Sequence, residues 1–75
     1  MPVLVDFWAE WCGPCKVLGP VLERLAEIHK EQWKLAKLDT DKNQEIAAEY
    51  GIREISNVKL FINGEVVNEF AGALP

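Results

Sequence analysis

The sequence is poor in cysteine and histidine and has no extended run of any one kind. Of its 75 residues only two are cysteine and one is histidine. A secreted disulfide scaffold of this size needs several bridges, so that class is excluded. A structural zinc site takes four ligands, and Cys12, Cys15 and His29 fall short of that number, which argues against zinc held within one chain. No apolar run approaches the ~18 residues of a membrane span. Basic residues form no run and are outnumbered, 8 Lys and Arg against 12 Asp and Glu, for a formal net charge of -4. That balance disfavours a nucleic-acid partner. Met1-Pro2 carries neither the basic nor the long apolar stretch of a secretion signal, so a cytoplasmic location is expected. The length fits one domain over residues 1–75. A hydrophobic share of 49% is that of an ordinary globular chain rather than a disordered one.

What is present is organised around Val3 to Cys15. Val3-Leu4-Val5-Asp6-Phe7-Trp8 is a nearly continuous apolar strand, of the sort a sheet covered on both faces requires. Asp6 interrupts it, and two readings stand side by side: a residue that reaches water, or a buried carboxyl with a raised pKa able to accept a proton. Cys12-Gly13-Pro14-Cys15 opens a helix, since proline is tolerated in a first turn where its N–H would be unpaired. Val17, Leu18, Val21, Leu22, Leu25 and Ile28 follow at helical spacing, with Pro20 expected to kink the axis. Trp33 to Leu38 alternates as a second strand, in which Lys37 is either a snorkelling edge residue or a partner for Asp6. Asp41 and Gln44 resemble a capping box for a short helix over 43–50, which Gly51 stops. Val58 to Ile62 and Glu65 to Phe70 flank Asn63-Gly64, a type I′ hairpin signal. The predicted order is β-α-β-α-β-β, an α/β domain with a mixed sheet whose first three strands are parallel neighbours.

The cysteine pair carries the chemistry. A helix N-terminus exposes unpaired N–H groups and partial positive charge, which favours a thiolate at Cys12 and predicts a depressed pKa and access to solvent. Cys15, one turn further in, is expected to be less exposed. Cys12 attacks a substrate disulfide, Cys15 resolves the mixed disulfide, and a buried Asp6 is suited to take the Cys15 proton. Two inert core cysteines are the plain alternative. A C-x-x-C placed where a strand gives way to a helix weighs against it.

Val5-Asp6-Phe7-Trp8-Ala9-Glu10-Trp11-Cys12-Gly13-Pro14-Cys15-Lys16, Pro20, Ala36-Lys37-Leu38-Asp39, Tyr50-Gly51-Ile52-Arg53, Leu60-Phe61, Asn63-Gly64-Glu65 and Gly72 together resemble the thioredoxin family. The resemblance implies a thioredoxin-like fold and a protein disulfide reductase serving cell redox homeostasis and electron transport. It implies no cofactor beyond the Cys12–Cys15 disulfide. It casts Cys12 as nucleophile, Cys15 as resolving thiol, Asp6 as the carboxyl behind Cys15 and Lys37 as its neighbour. It assigns Trp11, Gly13, Pro14, Ile55, Ser56 and Gly72 to the substrate surface. Its implied partners are disulfide-containing proteins and a recycling partner like thioredoxin reductase.

The chain departs from that family in two respects. Ile55-Ser56 stands where the family has a cis proline, and Glu54 replaces a small residue. A non-proline cis bond costs about 3 kcal/mol, so Ile55–Ser56 is expected to be trans. Loss of the ring that shields the sulfurs suggests an alternative: Cys12 and Cys15 of two chains sharing zinc or a [2Fe–2S] cluster. The family's first strand and helix and its last helix are also missing from residues 1–75, so the expected fold is truncated. Val58, Leu60 and Ile62, or their alternates, would then be open and invite self-association through the sheet face. A further alternative is a redox-silent interaction module of a larger chaperone-like protein.

Overall fold

The computed structural model describes residues 1–52 and 57–71. Among these described residues six elements follow in the predicted order: β1 (Val3–Trp8), α1 (Gly13–Ile28), β2 (Lys34–Asp39), α2 (Gln44–Glu49), β3 (Asn57–Ile62) and β4 (Glu65–Ala71). They build a four-stranded sheet of order β2-β1-β3-β4, so the cysteine-bearing segment leaves from an inner strand.

The direction of β3 corrects the sequence expectation. β1 and β2 are parallel, with Asp6 opposite Lys37 and Trp8 opposite Asp39. β3 instead runs antiparallel to β1, pairing Phe7 with Asn57 and Val3 with Phe61. The cause is the length of the connection. α1 has 16 residues and rises about 24 Å, enough to return the chain along a strand of about 20 Å. α2 has six residues and rises about 9 Å, so β3 begins at the end of the sheet where β2 stopped. β3 and β4 form the expected hairpin, with Asn63 and Gly64 both at positive φ, 52° and 82°, as the type I′ signal requires. Gly51 closes α2 at φ 66°.

Strand alternation divides the β1 side chains between the two faces. Leu4, Asp6 and Trp8 point to the face that α1 covers. Phe7 points to the other, where Tyr50 at the end of α2 meets it at 6.1 Å and meets Phe61 at 5.7 Å between ring centres. Phe7 and Val58 are among the largest fully buried side chains. Lys59 is also buried and is anchored by an ion pair to Glu69, its cross-strand neighbour on β4. A buried ammonium without that carboxylate would carry a large desolvation cost.

Two expectations about apolar surface change. Val58 is fully buried and Leu60 partly so, and of the three β3 residues expected to be open only Ile62 is exposed. On α1 the buried line is Cys15, Gly19 and Leu22, while Val17, Val21, Leu25 and Ile28 are exposed. Their angular positions on a 3.6-residue helix explain it: Val17, Val21 and Ile28 lie on the side turned away from the sheet. The helix also continues through Pro20, which does not end it.

The Phe7 ring is the core contact with the most to lose. Phe7→Ala is expected to destabilise the fold by about 3–5 kcal/mol, read from urea unfolding midpoints. A loss below about 1 kcal/mol would mean that α2 does not seal this face.

Candidate active site

The turn from β1 into α1 is built by local chemistry. The N–H of Cys12 donates to the carbonyl of Ala9 at 3.1 Å, folding the chain back just past the strand end. Cys12 then serves as the N-cap of α1, with extended backbone angles (φ -91°, ψ 106°) and a sulfur that accepts the Cys15 N–H at 3.2 Å. Pro14 sits in the first turn, where its missing N–H leaves nothing unsatisfied. Cys12 and Cys15 are joined by a disulfide with their Cα atoms 5.3 Å apart.

The burial of Cys12 differs from the sequence expectation. Cys12 is 4% exposed and Cys15 3%, so the two are nearly equal rather than outer and inner. In the disulfide, the Cys12 sulfur is drawn onto the helix end by its bond to Cys15 and by the Cys15 N–H. Ala9 and Trp8 pack against the pair. The exposed large hydrophobic side chain at this site is Trp11, at 67%.

Sequence reasoning missed the residue that holds Trp11. Its indole Nε1–H donates to Asp41 Oδ2 at 3.0 Å, tying the β1–α1 turn to the loop after β2. Asp41 therefore does not cap α2. Asn43 occupies the N-cap position without a side-chain capping bond, its Nδ2 donating instead to the Asp39 carbonyl at 2.9 Å, and the Gln44 side chain donates to the Asp41 carbonyl at 3.3 Å. Asp39 shapes the loop instead, its Oδ1 accepting the N–H groups of Asp41 at 2.9 Å and Lys42 at 3.3 Å. Thr40 fastens the same loop to β1, donating from N–H and hydroxyl to the Trp8 carbonyl at 2.9 and 3.2 Å.

The two open readings of Asp6 close in favour of burial. Asp6 is 0% exposed, and neither carboxyl oxygen has a hydrogen-bond partner among the described residues. Burial pushes its pKa above the ordinary carboxylate value. Lys37 partly opposes that shift and Glu23 adds to it. Lys37 stands directly across the ladder from Asp6, yet its ammonium is bound elsewhere. It donates to Glu23 Oε1 at 3.0 Å and lies 5.2 Å from the centre of the Trp8 ring. Glu23, on α1, is the second residue that sequence reasoning passed over.

Gly13 and Pro14 are exposed on the rim of the disulfide. Glu10 and Lys16 pair across the turn at 3.3 Å. Ile55, Ser56 and Gly72, with Glu54, lie outside the described residues, as does the Ile55–Ser56 peptide bond. The alternative of a metal or cluster shared between chains finds no support. Both sulfurs are bonded to each other, and no group of three or more His, Cys, Asp or Glu that could hold a metal occurs among the described residues.

A disulfide across a C-x-x-C at a helix N-terminus, in a sheet of this topology, defines a thiol–disulfide oxidoreductase. The comparisons with known proteins agree. The thioredoxin family model matches residues 1–75. The chain is 50% identical to thioredoxin of Griffithsia pacifica over 74 residues, covering 99% of this chain and 68% of that protein. It is 51% identical to thioredoxin of Porphyra purpurea over 75 residues, covering all of this chain and 70% of that protein. It is 45% identical to the chloroplastic M-type thioredoxin of Chlamydomonas reinhardtii, covering all of this chain and 54% of that protein. The chain belongs to the thioredoxin family, and its activity is that of a thioredoxin-type disulfide reductase. The redox-silent alternative is thereby set aside.

The buried carboxyl makes stability depend on pH in a definite direction. With its folded pKa raised, Asp6 holds its proton in the native state at pH values where the unfolded chain has lost it. Its contribution to stability is full below the unfolded value, about 3.8, and is lost as pH rises through the folded value. Asp6→Asn removes that loss. Urea unfolding of the oxidised proteins is expected to show the variant gaining on the wild type from pH 4 to pH 8. A constant difference over that range would contradict the burial of the carboxyl.

Proposed function

We propose that residues 1–75 form one domain in which Cys12 is the attacking thiolate, Cys15 the resolving thiol and Asp6 the proton acceptor. The observation that carries this reading is the disulfide at the N-terminus of α1 beside a sheet face holding a buried, unpartnered carboxyl. Asp6 shares its face of β1 with Trp8, which packs against the cluster of Ala9, Cys12 and Cys15. It lies about 7 Å from Trp8 along the strand.

In the dithiol form, the free N–H groups at the start of α1 favour the Cys12 thiolate. That thiolate attacks one sulfur of a substrate disulfide. A Cys12–substrate bond forms and the first substrate sulfur leaves as thiolate. Cys15 then gives its proton to the Asp6 carboxylate and attacks the Cys12 sulfur. The Cys12–Cys15 bond forms as the second substrate sulfur leaves. Two electrons pass from the dithiol to the substrate, and the two substrate sulfurs end as thiols. A dithiol reductant of the thioredoxin reductase kind restores the pair.

Trp11, Gly13 and Pro14 form one side of the substrate surface. Ile55, Ser56 and Gly72 are assigned to the other side by their position in the family pattern. Lys37 is assigned to Asp6 as the cation that tempers its proton affinity. Among the described residues no helix is long and apolar enough to cross a membrane. A role in cytoplasmic redox homeostasis and electron transport is the setting this reading favours.

Insulin reduction by dithiothreitol tests the assignment of the sulfurs. Cys12→Ser is expected to lower the catalysed rate to background. Cys15→Ser is expected to accumulate a mixed disulfide on Cys12, visible as an adduct by intact mass. A trapped adduct on Cys15 in the Cys12→Ser variant, with none on Cys12 in the Cys15→Ser variant, would reverse the two roles.

A further inference from the structure

The arrangement around Lys37 is unusual for a lysine facing a buried acid. Asp6 and Lys37 are directly opposed in the β1–β2 ladder, so their side chains rise from the same face of the sheet. An unpartnered carboxyl and an ammonium so placed should draw together. They do not pair. The ammonium occupies a slot on the α1 side: Glu23 Oε1 lies at 3.0 Å and the Trp8 ring centre at 5.2 Å. A Cβ at Gly19 would stand 3.5 Å from Nζ. That is ordinary van der Waals contact, so residue 19 lines this slot without obstructing it.

We propose that Glu23 is a positioning residue for the proton-transfer step: by holding the Lys37 ammonium on α1, it keeps that cation out of contact with the Asp6 carboxyl. The inference rests on the reading of Asp6 as proton acceptor. Its physical content is a competition. One lysine faces two carboxylates, one half-exposed on the helix and one buried in the sheet, and the exposed one has it. A carboxyl paired directly with an ammonium is a weak base, whereas one left in an apolar setting binds a proton more readily. Glu23 thus keeps Asp6 basic enough to accept the Cys15 proton.

Among the described residues, the charged groups acting on Asp6 are Lys37 from β2 and Glu23 from α1. β3 sets the uncharged Val58 opposite it, and α2 packs on the other face of the sheet. The effect of removing Glu23 therefore has one sign. Its own negative charge, which favours protonation of Asp6, is lost, and the released ammonium gains access to the carboxylate. Both lower the proton affinity of Asp6.

The test is a carbon-13 NMR titration of the Asp6 carboxyl in the full oxidised chain. In Glu23→Gln the midpoint is expected to move to lower pH, and Glu23→Ala, which deletes the carboxylate in a different way, should do the same. In Lys37→Met the midpoint should move to higher pH. In the Lys37→Met background, Glu23→Gln should have a markedly smaller effect, because no cation is left to release. An unchanged or raised midpoint in Glu23→Gln overturns the proposal. So does a downward shift of the same size with and without Lys37, which would reduce Glu23 to a distant charge. The titration involves no turnover. A failure of Asp6 as acceptor would show separately, as wild-type turnover in Asp6→Asn.

Discussion

A carboxyl group with no hydrogen-bond partner, set in the middle of an inner strand, is the constraint on which the rest of this structure turns. Desolvating an ionised carboxylate is costly, and the ordinary remedies are a cation or a set of N–H donors. Asp6 has neither among the described residues, although a lysine stands directly across from it. The group responds by holding its proton more tightly. That property is a burden to stability and, in the proposed role of Asp6, an asset where a thiol must be deprotonated. The same balance is common where a fold gives up some stability for chemistry.

The elements around Asp6 can be understood from that constraint. β1 carries both the acid and, past Trp8, the turn that begins α1. α1 contributes three things at once: its N-terminus to Cys12, its first turn to Cys15, and its flank to Glu23. β2 contributes Lys37 to the face under α1 and, through Asp39 and Thr40, shapes the loop from which Asp41 grips Trp11. The redox pair is therefore fixed by two separate ties. One is local, the Cys12 N–H on the Ala9 carbonyl and the Cys15 N–H on the Cys12 sulfur. The other is the indole of Trp11 bonded across to a residue thirty positions away.

Much of this was legible in the sequence, for physical reasons that also explain the rest. A continuous apolar run located β1, helical spacing α1 and alternation β2, while Gly51 and Asn63-Gly64 marked the end of α2 and the β3–β4 hairpin with turns that only a few residue types tolerate. The spacing of Cys12 and Cys15 at a strand-to-helix junction identified the disulfide. The direction of β3 was not legible, because periodicity tells which residues face inward and not which way a strand runs. The brevity of α2 held that information. Asp6 was ambiguous because one acid in an apolar run fits a water-reaching bend as well as a buried base. The burial of Cys12 reflects its bond to Cys15 and the Cys15 N–H on its sulfur, contacts that helical position alone does not convey. Glu23 looked like an ordinary polar helix residue, and Asp41 like a helix cap. Each acquires its role only from a partner distant in the chain.

The central claim is that Asp6 accepts the Cys15 proton during resolution of the mixed disulfide. The most direct measurement is the single-turnover rate at which Cys15 releases a small thiol preloaded on Cys12, followed across pH in wild type and Asp6→Asn. The account predicts a wild-type rate that rises through the raised titration of Asp6. It predicts a variant that lacks this inflection and is slower by at least about tenfold near neutrality, a conservative share of what a positioned general base supplies. Superimposable profiles for the two proteins would contradict it.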